Sequence, residues 1–116
     1  MVRAQKTDLL TLSTQELLAQ RRRLAARLGD LEHVLFGSLV EQMRRCGKTG
    51  CRCAAGDPHG PYTFFSQRRG RRGLRYVPAA MVAYTRVCLQ HGAHVEAVLS
   101  EISAINVELL ARRALG

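Results

Sequence analysis

Residues 44–76 read RRCGKTGCRCAAGDPHGPYTFFSQRRGRRGLRY, and the reading of this stretch decides the fold. It holds three of the four cysteines, Cys46, Cys51 and Cys53, with His59 close behind, and nine Arg or Lys against the single acid Asp57. Glycines at 47, 50, 56 and 60 and prolines at 58 and 61 break any periodicity, so residues 46–61 are expected to form a loop. Beyond them the pattern alternates. Tyr62, Phe64 and Ser66 fall on one face and Thr63, Phe65 and Gln67 on the other, and after the turn at 70–73 the run Leu74 to Val77 completes a hairpin. A lone hairpin is marginal in water. The ambiguous segment 39–45, which also fits a helical turn capped by Ser38 and Glu41, is therefore read as a further strand.

Two amphipathic runs flank this stretch. Ser13 and Glu16 form a capping-box pair, and Leu17, Leu24, Leu28, Leu31 and Leu35 then recur at helical spacing, predicting a helix over 14–35 that Gly29 weakens without ending. Pro78 opens a second helix, 79–113, whose Tyr84, Val87, His91, Val95, Val98, Ile102, Ile105 and Leu109 stay near a three-four pattern that Gly92 interrupts. Arg112 and Arg113 sit near its carboxyl pole. Residues 1–12 read as a loose leader. The expected class is α+β: a long N-terminal helix, a small antiparallel hairpin or three-stranded sheet with a Cys/His loop, and a long C-terminal helix. Residues 1–116 form one domain in this reading, a helical stem carrying a basic tip over 38–77. The steady spacing also predicts an antiparallel helical hairpin or coiled-coil stem, and a homodimer through the helices.

The spacing C-x4-C-x-C-x5-H supplies Cys46, Cys51, Cys53 and His59, the number and kind of ligands that a tetrahedral zinc ion takes. Bound metal would contribute its binding energy directly to the folding of so short a loop. The C-x-C bite is tighter than the usual C-x2-C knuckle, so an uncoordinated packing loop and a reactive thiol stay open beside the zinc site. Cys88 and His91, one helical turn apart, read as core or interface residues.

The formal charge of +9 on 116 residues points to a polyanion, DNA or RNA before others, although an anionic membrane surface or an acidic protein would satisfy the same number. Arg44, Arg45, Lys48 and Arg52 precede the hairpin, and Arg68, Arg69, Arg71, Arg72 and Arg75 lie at or beside its turn, so these nine are the expected phosphate contacts. Tyr62, Phe64 and Tyr76 are expected to pack the sheet against the helices, with stacking on unpaired bases as the alternative. A second function class is an interaction module, its helical stem docking a protein partner. An arginine-bearing single face favours nucleic acid, whereas scattered arginines beside an exposed apolar stripe favour a protein.

Catalysis is not the expectation. Asp57 stands alone in the basic stretch, so paired carboxylates are lacking there. Gly47-Lys48-Thr49 echoes a nucleotide-binding loop, but Gln42 occupies the position where that motif needs glycine, and a cysteine cluster follows where it needs a helix. No apolar run reaches the length of a membrane span, and Met1 to Leu12 is too short in apolar residues for a secretory signal, so a cytoplasmic protein without membrane contact is expected.

The motifs Gly37-Ser38, Cys46-Gly47-Lys48, Cys51-Arg52-Cys53, His59-Gly60-Pro61-Tyr62 and Tyr76-Val77-Pro78 resemble a family of small bacterial and phage proteins without assigned function. The resemblance covers about a third of the chain closely and implies an association with mobile elements. The turn RRGRRG is richer in arginine than the family pattern.

Overall fold

The computed structural model describes residues 6–54 and 56–116. Its elements run α1 (Lys6–Thr11), α2 (Thr14–Ala26), β1 (Gly37–Arg44), a 3₁₀ turn (Arg52–Ala54), β2 (His59–Gln67), β3 (Leu74–Tyr76) and α3 (Ala79–Ala111). The α+β class and the order helix, sheet, long helix are as the sequence implies. The described residues fall into two compact units, one of residues 6–32 and 93–116, the other of residues 33–92. The long helix α3 contributes to both.

The first unit is helical. Ser13 caps α2 as expected: its Oγ accepts from the Glu16 amide at 3.1 Å, and the Glu16 carboxylate accepts from the Ser13 amide at 2.8 Å. Leu17 and Leu24, seven residues apart, meet Val98, Ile105 and Leu109 of α3 in a core that also takes Leu9 from α1. Leu17, Ile105 and Leu109 are fully buried, each worth roughly 1.5–3 kcal/mol of transfer free energy. The segment expected to be a loose leader is thus a short helix over its described part, anchored by Leu9. Residues 1–5, the rest of that leader, lie outside the described residues.

Helix α2 is shorter than its leucine spacing suggests. It ends at Ala26 and not near residue 35, the Arg27 amide closing back on the Leu24 carbonyl at 3.0 Å. Gly29 then takes a left-handed φ of 65° and the chain turns away. Heptad spacing continues past this point, but Leu31 is exposed. His94 of α3 meets the Arg27 carbonyl at 3.0 Å, satisfying one carbonyl that the helix end leaves open.

The second unit is a three-stranded antiparallel sheet in the order β1-β2-β3 with the opening turns of α3. The strand reading of the ambiguous segment is correct, and β1 starts two residues earlier, at Gly37. Val40, Phe64 and Tyr76 align across the sheet, as do Leu39, Phe65 and Arg75. The register shifts between Gln42 and Arg44, which brings Arg44 opposite His59. His59, Gly60 and Pro61 therefore belong to a strand and not to the expected loop. Residues 33–36 run against α3: the Leu35 amide donates to the Cys88 carbonyl at 3.2 Å, and a Cβ on Gly92 would lie 2.1 Å from the Leu35 carbonyl oxygen. Gly92 is a contact point, not a weakness in the helix. Cys88 is buried beside it, as a packing residue.

Candidate metal centre and its sheet

β1 delivers Cys46 just beyond its end, the 3₁₀ turn carries Cys53, and β2 opens on His59. One ligand atom from each of Cys46, Cys51, Cys53 and His59 lies within 4.8 Å of every other. Cys46 Sγ is 3.5 Å from Cys53 Sγ, and Cys51 Sγ is 3.2 Å from His59 Nε2. The four are close enough to hold a metal ion. Cys88 lies outside this group.

The loop is shaped by its own backbone. The Cys46 amide donates to Cys53 Sγ at 3.3 Å, and the Lys48 amide donates back to Cys46 Sγ at 3.4 Å. Left-handed backbone at Gly47 and Gly50, φ 76° and 82°, permits these reversals without a Cβ clash. The Cys51 amide bonds the Lys48 carbonyl at 3.2 Å and closes the turn between them. Arg45 donates to the Cys53 carbonyl and, at 2.8 Å, to that of Gly56. The Lys48 amide, the atom a phosphate would need, is thus spent on sulfur.

Electrostatics separate the thiols. The Cys46 amide, ahead of every other influence, holds the Cys53 thiol below the ordinary thiol range, and the Arg45 guanidinium helps. On Cys46 the Lys48 amide is the largest influence and favours the thiolate, but the adjoining Cys51 and Cys53 together outweigh it and push the thiol up. Three sulfurs this close cannot all ionise without a cation among them.

A family model described as a domain of unknown function, DUF6788, matches residues 14–83, from the first residue of α2 to the opening turns of α3. The chain belongs to that family. No curated protein and no solved structure matches it. All four candidate ligands lie inside the DUF6788 segment, as does the whole sheet.

The nine basic residues do not form one tip. Arg44, Arg45, Lys48 and Arg52 belong to the end of the sheet where β1 passes to β2, whereas Arg68, Arg69, Arg71 and Arg72 form the turn at the far end of β2, with Arg75 following in β3. The eight residue steps from His59 to Gln67 separate the two ends by about 26 Å. The residues also differ in occupation. Arg45 is committed to the metal loop, and Arg68 and Arg69 lie over Phe36 at 5.9 and 5.5 Å. Arg71, Arg72 and Arg75 line a groove of about 240 Å³ with Gln67, Gly73 and Leu74.

The aromatics hold a further correction. Phe65, on one face, is buried, but Tyr62 and Tyr76 on the other are 36% and 57% exposed. They and Phe64 pack on one another and not in a closed core: Tyr76 meets Tyr62 and Phe64 edge to face, with centroids 6.3 and 5.9 Å apart. Arg44 lies over Phe64 at 4.5 Å. Alternation separates these two faces in the sequence, but it does not say which one the protein covers.

Proposed function

We propose that this chain binds nucleic acid, DNA or RNA, through the unit of residues 33–92, with Cys46, Cys51, Cys53 and His59 holding a structural zinc ion. One observation carries the reading: the charge is segregated. Residues 33–92 hold ten Arg and Lys against two acids, Glu41 and Asp57, while residues 6–32 with 93–116 hold seven against seven. Nearly all of the +9 thus belongs to the sheet-bearing unit. Genomic preference for arginine would not sort charge between the units in this way.

The donor set supports zinc. With Zn–S near 2.3 Å, a tetrahedron has sulfur-to-sulfur edges of about 3.8 Å, and the 3.5 Å edge from Cys46 to Cys53 is within a small adjustment of it. Three thiolates and an imidazole fill four positions. No position is left for substrate, so the ion's contribution would be to cross-link the loop. The chain's own residues do the binding, with Arg71 and Arg72 on phosphate oxygens.

The test is binding of a labelled oligonucleotide across a salt series. Arg71→Ala with Arg72→Ala should weaken binding and lower the slope of log affinity against log salt by about two. An unchanged slope would remove this turn from the interface, and no binding by the wild type at low salt would remove the reading itself.

A second reading has its own support. Leu10, Leu99, Val107 and Leu110 are exposed on the helices of the first unit, a surface suited to a second copy of the chain or to another protein. Sedimentation equilibrium over a concentration range distinguishes a homodimer from a monomer. Among the described residues no helix is long and apolar enough to cross a membrane.

A further inference from the structure

We infer that the exposed aromatic face of the sheet is a platform for the unpaired bases of a single-stranded nucleic acid, which would stack on Tyr62, Phe64 and Tyr76. This rests on the nucleic-acid reading above and narrows it. In that reading alone, duplex and single strand are equivalent, since phosphates are common to both. The aromatic face distinguishes them, because a paired and stacked base has no free surface for a ring to meet.

Three features support this occupant. The rings are not needed to close the sheet's buried side, which Phe65 supplies from the opposite face. They stand at 76° and 68° to one another and are not stacked in parallel, so the exposed Tyr62 and Tyr76 are not used up in a stack within the cluster, while Arg44 covers one face of Phe64. The charge around them suits a polyanion. Arg44 lies over Phe64 itself, and the register places Glu41 with Thr63 on the other face, so the strand residues that share a face with Tyr62, Phe64 and Tyr76 include no carboxylate. Apolar peptides would gain from the rings but not from this charge.

The geometry also gives a path. The rings occupy the middle of the sheet, and the basic turn of Arg71 and Arg72 lies beyond one end of β2, with the metal loop beyond the other. A single strand laid along β2 would cross the rings with its bases and meet cationic groups at both ends. The span of about 26 Å exceeds what two or three stacked bases need, so backbone contact extends past the stacked stretch.

The protein carries its own reporter. It has no tryptophan and three tyrosines, two of which are on this face. Titration with a single-stranded 12-nucleotide DNA at low salt should quench tyrosine emission, while the same sequence as a duplex should bind more weakly with less quenching. Tyr62→Phe with Tyr76→Phe keeps the rings but removes the emitters, so affinity should be retained and the quenching lost, leaving Tyr84 as an unresponsive reference. Tyr62→Ala with Tyr76→Ala should weaken single-strand binding roughly 5- to 150-fold per ring, with the salt slope unchanged and the circular dichroism of the fold retained. Duplex binding equal to single-strand binding, or Ala variants of wild-type affinity, would overturn the stacking platform while leaving a phosphate-binding protein. No binding of either form would overturn both.

Discussion

The backbone amide of Cys46 donates to the sulfur of Cys53, seven residues later, at 3.3 Å. The first cysteine thereby orients the third within the same loop, and the sulfur that accepts this bond is the most buried of the four candidate ligands, at 1% exposure. A metal ion would find two of its ligands already facing each other. Much of the ordering cost of a short, glycine-rich loop is then met by the loop's own hydrogen bonds.

Cys53→Ser should therefore abolish metal retention, since it exchanges the most buried thiolate ligand for a hydroxyl. Native mass spectrometry of the untagged protein should show one zinc per chain in the wild type and none in the variant. Chelation of the wild type should open the 45–58 loop to protease, with the helical content largely kept, because the helical core of Leu9, Leu17, Leu24, Val98, Ile105 and Leu109 includes no residue of the loop. A variant with wild-type metal content would remove Cys53 from the ligand set.

Gly92→Ala should have the opposite sign from the usual exchange. Ala in place of Gly within a helix ordinarily stabilises by about 1 kcal/mol. Here the added Cβ would stand 2.1 Å from the Leu35 carbonyl oxygen, a backbone atom that cannot swing aside, so the segment holding the Leu35–Cys88 hydrogen bond must shift. Overpacking of this kind costs about 1–3 kcal/mol, and set against the helix gain the net effect should be a loss of up to about 2 kcal/mol by urea denaturation. A gain in stability would show that the close approach is not made.

These sites divide what could be read in the sequence from what could not. The capping box and the spacing of the four ligands are local signals, set by hydrogen-bond reach over three residues and by the bite of a loop, and the structure carries both. The hairpin and its third strand follow from alternation. The end of α2 at Ala26 does not follow from the leucine spacing, because Leu28 still packs against the helical core from beyond the helix end and Leu31 continues the spacing although it is exposed. Gly92 reads as a helix defect until its neighbour Leu35, fifty-seven residues earlier, is known. The two separated basic clusters read as one tip because they are close in sequence. β2 lies between them, and an extended strand converts few residues into a long distance.

The Ser13–Glu16 box gives α2 a defined pH response. The Ser13 backbone amide, and then its hydroxyl, hold the Glu16 carboxyl below its ordinary range. A carboxyl whose folded value is depressed contributes stability above its unfolded pKa of roughly 4.3, and this is lost as pH falls through the folded value. Stability of the wild type should decline on acidification below about pH 4.3, and Glu16→Gln should remove that part of the decline. Ser13→Ala should cost about 1 kcal/mol at neutral pH. Thermal melts of the three proteins from pH 3 to 7 separate the terms, and parallel pH profiles for wild type and Glu16→Gln would dissociate the carboxyl from the cap.

Arg112 and Arg113 are adjacent and chemically identical, yet their replacement should differ sharply. Arg112 donates to Glu108 at 2.8 Å, to Thr14 Oγ1 at 3.4 Å and to the Leu9 and Leu10 carbonyls at 3.2 and 3.4 Å, so it joins the end of α3 to α1 and the start of α2. Its loss leaves those acceptors short of a charged donor, and Arg112→Ala should cost about 2 kcal/mol. Arg113 instead occupies the left-handed position, φ 57°, of the turn that ends α3, where its amide reaches Leu110 at 2.9 Å and that of Ala114 reaches Leu109 at 2.8 Å. Glycine is the residue this geometry favours. Arg113→Gly relieves a backbone strain of about 1–2 kcal/mol, against a glycine entropy cost of about 0.5–1 kcal/mol and a lost charge–dipole attraction of about 0.3–1 kcal/mol. Salt screens only the last of these. The variant should be near neutral at low ionic strength and more stable than wild type by about 0.5 kcal/mol in high salt, where the lost attraction no longer counts. Denaturation at two salt concentrations reads this directly, and a variant destabilised equally at both would mean that Arg113 makes a contact its backbone geometry does not account for.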